Sequence, residues 1–177
     1  MVVWSFQPMA ALASVQALIW RTRSPSRTCS ATTAFPVLLA DVNIFVYARR
    51  RESPSHSRVR AWLQTQLGGS QPFGVSELVL SSFVRIVTNR RVYLEPTPVD
   101  AALEFCAIVL AAPAAVPLRP GARHWEIFAD LCRTAGARAN VVPDAYLAAL
   151  AIEHGATWVT FDTGFRRFAG LRVESPL

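Results

Sequence analysis

The chain has 177 residues, 52% of them apolar and 17% charged, which suits one domain with a real core and excludes a disordered chain. All 18 basic residues are arginine, so chemistry that needs a lysine, such as a P-loop or a Schiff base, is excluded. The formal charge of +6 suits either simple solubility or a polyanionic partner, for which arginine is the better bidentate reader.

Residues 1–36 differ from the rest of the chain. They carry Arg21, Arg23 and Arg27 and no acid. Met9 to Trp20 is apolar and reads as a short helix, too short to cross a bilayer and without the basic start of a secretory signal. Ser24 to Thr33 is rich in Ser, Thr and Arg and reads as disordered. The segment is expected to be an N-terminal extension, with Val37 an alternative start. A membrane- or partner-binding arm is the other reading. Cys29, Cys106 and Cys132 are far apart and make no zinc spacing, which suits reduced thiols in a cytoplasmic protein.

Val37-Leu38-Leu39-Ala40 is a short apolar run without alternation, the pattern of a strand buried on both faces, and Asp41 stands at its end. Helices are expected over Ile44 to Arg49 and His56 to Leu67, the second ended by Gly68-Gly69. Phe73-Gly74-Val75 is extended, and Ser76 is placed to cap a helix running to Thr88, with Val79, Leu80, Phe83, Val84 and Val87 inward. A turn-rich linker comes next, then a helix over Val99 to Ala111 and a strand over Ala115 to Leu118. Helices over Ala122 to Ala135 and Val141 to His154 end at Gly136 and Gly155. Strands over Ala156 to Phe161 and Leu171 to Val173 close the chain. Strands interleaved with helices imply an α/β fold, a mostly parallel sheet with helices on both faces.

Four of the twelve acids stand at element ends beside apolar residues. Asp41 ends the first strand, Glu77 and Asp144 lie in first turns of helices, and Asp162 comes just after the Ala156–Phe161 strand. In a parallel sheet, strand C-termini and the next helix N-termini share one rim. Carboxylates gathered there repel unless a cation joins them, and oxygen donors without His or Cys suit magnesium or manganese. The plain alternative for each acid taken singly is helix capping. His56, His124 and His154 join no catalytic motif, and His154 reads as a charge partner for a helix end.

The stretches Leu38-Leu39-Ala40-Asp41-Val42-Asn43, Ser76-Glu77-Leu78-Val79-Leu80, Val142-Pro143-Asp144-Ala145-Tyr146 and Thr160-Phe161-Asp162-Thr163-Gly164-Phe165 occur in that order. As a set they resemble PIN-domain ribonucleases, above all the VapC-type toxins of toxin–antitoxin pairs. The resemblance covers about residues 37–177. It implies a PIN-like fold and an endoribonuclease that depends on Mg2+ or Mn2+. It also implies an RNA substrate, a VapB-type antitoxin, a homodimer and no membrane. Asp41, Glu77, Asp144 and Asp162 match the family's acids, with Asp41, Asp144 and Asp162 as metal ligands. Asn43 and Thr160 match its supporting polar positions. Gly164 departs from the pattern, because many relatives carry a further Asp there, and this leaves a second metal site without its ligand.

Arg85, two turns after Glu77, and Arg166, with Arg167 beside it, are candidate RNA contacts or plain surface cations. Trp62, Trp125 and Phe168 are expected in the core, with Trp62 as an alternative wall of an antitoxin groove. A haloacid-dehalogenase phosphatase is set aside, because Asn43 stands where a second Asp is needed and lysine is missing. The competing reading from another class is a catalytically silent binding module on the same fold.

Overall fold

The computed structural model describes residues 36–177. The helix expected over Met9–Trp20, the disordered stretch Ser24–Thr33 and Cys29 lie outside the described residues. Five strands alternate with helices: β1 (Leu38–Ala40), α1 (Val42–Arg49), α2 (His56–Gly68), β2 (Phe73–Val75), α3 (Glu77–Val87), α4 (Val99–Ala111), β3 (Ala115–Pro117), α5 (His124–Thr134), α6 (Val141–Glu153), β4 (Thr157–Val159) and β5 (Arg172–Glu174). A short 3-10 turn, Thr163–Arg167, joins β4 to β5.

The strand order is β3-β2-β1-β4-β5. The sheet was expected to be mostly parallel, and all four pairings are parallel. β1 is central, with Leu39 opposite Gly74 on one side and Trp158 on the other. From β1 the chain steps outward to β2 and β3, then returns past β1 to β4. Right-handed crossovers therefore set α1 to α4 on one face and α5 and α6 on the other. The packing agrees: α1 packs on α2 and α3, α3 packs on α4, and α5 packs on α6. The order reverses between β1 and β4. In such sheets the crevice at the carboxyl ends of the strands flanking that reversal is where ligands bind.

Apolar burial holds this frame together. Leu39, Ile44, Phe73, Phe83, Val87, Leu150 and Trp158 are fully buried. Each large aliphatic or aromatic side chain so buried contributes roughly 1.5–3 kcal/mol. Phe45 and Trp62 set ring edges against Phe73. On α6, Ala145, Ala148, Ala149 and Ala151 are buried and let the helix lie close to its neighbours.

Several element ends differ from expectation. α1 starts at Val42 rather than Ile44, because Asp41 occupies its N-cap and accepts from Val42 N. β4 is shorter than Ala156–Phe161 because the polar atoms beyond Val159 turn toward Asp41 and Asn43. Ser76 stands at the α3 N-cap without a side-chain cap bond. Gly136 and Gly155, with φ of 59°, end α5 and α6 in the left-handed conformation that glycine adopts without strain. Among the described residues no helix is long and apolar enough to cross a membrane. Cys106 and Cys132 are free thiols, and burial pushes the Cys106 thiol up to about 11, which leaves it inert.

Candidate active site

Asp41 comes directly after the central strand, and its N–H bonds Val159 O at 2.9 Å, tying it to β4. The residue is buried, and its carboxylate accepts from three donors. Val42 N donates to Oδ1 at 2.6 Å. Asn43 Nδ2 and the Thr160 hydroxyl donate to Oδ2 at 2.7 and 2.6 Å. Thr160 Oγ1 in turn accepts from Asn43 Nδ2 and from Asp162 N, both at 2.9 Å. Its lone pairs are thereby used, which obliges its proton to point at Asp41. Asn43 and Thr160 thus hold the buried carboxylate, in the manner of supporting residues.

Burial nevertheless dominates. It pushes the Asp41 pKa up to about 6 against the opposing bonds from Thr160 and Val42, and the charges of Asp144 and Asp162 add to the rise. Asp144, half-buried in the first turn of α6, is also raised, by desolvation first and Asp162 second, with Arg167 pulling the other way. Asp162 is exposed and caps the 3-10 turn, accepting from Gly164 N at 2.7 Å. Three aspartates from three elements therefore share one electrostatic neighbourhood at the β1–β4 reversal.

The other expected residues face water. Glu77 is exposed, and its Oε1 accepts from Arg119 Nη2 at 2.7 Å. Arg85 and Arg166 are exposed. Arg167, the neighbour of Arg166, is the cation felt by Asp144, and its Nε donates to Gly164 O at 2.8 Å. A Cβ on Gly164 would stand 2.9 Å from Asp162 Oδ1, so a side chain at this position would displace that carboxylate. Phe168 is buried and Trp62 half-buried, as expected of core residues, but Trp125 is 71% exposed, contrary to expectation. The inward place on α5 belongs to His124, whose Nε2 donates to Tyr146 O at 3.0 Å between the rings of Phe128 and Tyr146. His154 does not serve its own helix end; its Nε2 donates to Arg119 O at 2.8 Å. Sequence reasoning misses Arg119, whose one signal is an arginine just after a strand end.

The donor chemistry of Asp41, Asp144 and Asp162 fits a hard divalent cation: oxygens only, mutual repulsion and one carboxylate already oriented. Among the described residues no three His, Cys, Asp or Glu side chains form a ready cage. Like charges at one rim stand apart unless a cation draws them together.

Residues 38–171 match the PIN domain family. The chain is similar to Ribonuclease VapC43 of Mycobacterium tuberculosis, with 45% identity over 80% of this chain and 96% of that one. Two solved structures share the fold. VapBC2 from Rickettsia felis, bound to a DNA fragment from its promoter, is 18% identical with a TM-score of 0.55, over 78% of this chain and 98% of that one. VapC20 of Mycobacterium tuberculosis, described as a sarcin-ricin loop cleaving toxin, is 17% identical with a TM-score of 0.54, over 76% and 98%.

Proposed function

Because the chain belongs to the PIN-domain family, among the VapC ribonucleases, we propose that it is an endoribonuclease, the toxin of a toxin–antitoxin pair, that uses Mg2+ or Mn2+ to hydrolyse RNA phosphodiester bonds. The observation that carries this reading is the buried Asp41 carboxylate, oriented by Thr160 and Asn43 beneath the charges of Asp144 and Asp162. Asp41, Asp144 and Asp162 would hold the cation. When bound, such an ion polarises a phosphoryl oxygen and makes water a nucleophile near neutral pH.

The chain's own residues do the rest. Thr160 fixes Asp41 through its hydroxyl and at the same time receives Asp162 N, so one side chain sets the spacing of two acids. Asn43 bridges Asp41 and Thr160, which keeps α1 and β4 in register at the site. Arg167 stands by Asp144 and offsets part of the acids' repulsion toward a phosphate. The VapBC relatives supply the partner for this reading, a VapB-type antitoxin, and the homodimer and cytoplasmic setting belong to the same proposal.

The test is RNA cleavage by purified chain with manganese or magnesium, beside Asp41→Asn and Asp144→Ala. Cleavage by the wild type that both variants lose supports the reading, as does slowed growth on expression that Asp144→Ala relieves. A wild type that binds RNA without cutting it, with either ion, would leave the silent binding module standing.

A further inference from the structure

Arg119 lies two residues past the end of β3, in the loop that leads to α5. Its backbone is fixed on several sides. The preceding Leu118 N donates to Val75 O at 2.9 Å, just before Ser76 and Glu77. The Arg119 carbonyl accepts from His154 Nε2 at 2.8 Å. Gly121 N and Arg123 N both donate to the Glu153 carboxylate, at 2.8 and 2.9 Å. The end of α6 therefore holds the loop, and the loop presents the Arg119 side chain to Glu77.

That side chain is set in water. The Arg119 and Glu77 side chains are 61% and 62% exposed, and their ion pair spans 2.7 Å. An exposed pair of this kind contributes little to stability, so its anchored backbone calls for another reason. An exposed guanidinium on a fixed backbone is well made for a phosphodiester, whose two free oxygens match its fork. Glu77 also ties the cation to the rim on which the acids stand, since β2 lies beside β1.

We propose that Arg119 is a phosphodiester-binding residue for RNA, and that Glu77 is its exchangeable partner, displaced when a backbone phosphate takes the guanidinium. The proposal rests on the reading that the chain acts on RNA. It makes Glu77 a competitor of the substrate's phosphate for one cation. Removing the Glu77 charge should then tighten RNA binding through Arg119, where loss of a group that only served cleavage would leave affinity unchanged.

The experiment measures binding of a short fluorescent single-stranded RNA to the full chain in EDTA, where nothing need be cut. It uses the wild type, Arg119→Ala, Arg119→Lys, Glu77→Gln and the Arg119→Ala/Glu77→Gln double variant. Arg119→Ala should weaken binding about tenfold, the worth of one charge-assisted hydrogen bond. It should also flatten the salt dependence by about 0.7 in log–log slope, one single-strand phosphate contact. Arg119→Lys should keep that slope and lose part of the affinity. Glu77→Gln should tighten binding severalfold in the wild-type background and leave it unmoved in the Arg119→Ala background. Equal tightening in both backgrounds would mean a general field effect and would overturn the proposal, as would an Arg119→Ala variant with unchanged affinity and slope. A wild type that cleaves RNA while the cycle shows no coupling sinks the Arg119 proposal alone. A wild type that binds no RNA in any buffer sinks the ribonuclease reading with it.

Discussion

Asp41 accepts three hydrogen bonds and still titrates near 6, because those bonds only partly offset the loss of water around its carboxylate. A carboxyl raised in the folded state above its unfolded value near 3.9 adds stability below that value and loses it as pH rises through about 6. The wild type should therefore lose up to about 3 kcal/mol relative to Asp41→Asn between pH 4 and pH 7 without divalent ions. Paired denaturant melts across that range would show it, and a pH-independent difference would refute it. A cation competes with that proton, so its affinity should climb through pH 6. Thr160→Val tests the support. It removes the hydroxyl that binds Asp41, Asn43 and Asp162 N while keeping the shape, and leaves buried groups unpaired. A loss of about 1–3 kcal/mol is expected, with cleavage reduced more than RNA binding.

At the scale of elements, Gly74 shows how closely β2 is packed. A Cβ there would lie 2.5 Å from Leu118 Cδ1 and 3.1 Å from Leu38 O, and Leu118 is itself buried. Gly74→Ala should destabilise the protein by roughly 1–3 kcal/mol, read as a lower denaturant midpoint at unchanged slope. Much at this scale was legible in the sequence. α4 is expected over Val99–Ala111 and lies there, between Pro98 and Pro113. β1 was found because an apolar run met an acid. Trp125 faces out, contrary to expectation, because apolar character alone does not fix a helix's phase: burial of His124, satisfied by Tyr146 O, turns α5 so that the indole meets water. The contact of Arg119 with Glu77 is not legible in the sequence, because it depends on β3 lying beside β2, a pairing decided by the whole sheet. The acids were legible one by one at element ends, but their division into an aspartate trio and an ion-paired Glu77 depends on side-chain geometry that spacing does not encode.

At the scale of the whole molecule, the PIN match spans residues 38–171, and among the described residues five strands form the sheet. Pro36 still takes part, since its carbonyl accepts from Gln71 Nε2 at 2.8 Å. A chain that starts at Pro36 should therefore melt within about 2 °C of the full chain and cleave RNA at the same rate. A shift of more than about 4 °C would correspond to more than about 1 kcal/mol in a chain of this size and would show that the removed residues support the core.

The hydrogen bond between Thr160 and Asp41 joins positions 119 residues apart. The central strand is made well before its partner β4 and the hydroxyl that orients its carboxylate. Synthesis runs at about 5–20 residues per second, so Thr160 follows Asp41 by roughly 6–24 seconds. The sheet cannot close before then, because β1 needs β4 on one flank. Until then a nascent chain lacks the assembled Asp41–Thr160 pair. The order of the strands delays assembly of the carboxylate site until β4 has been made.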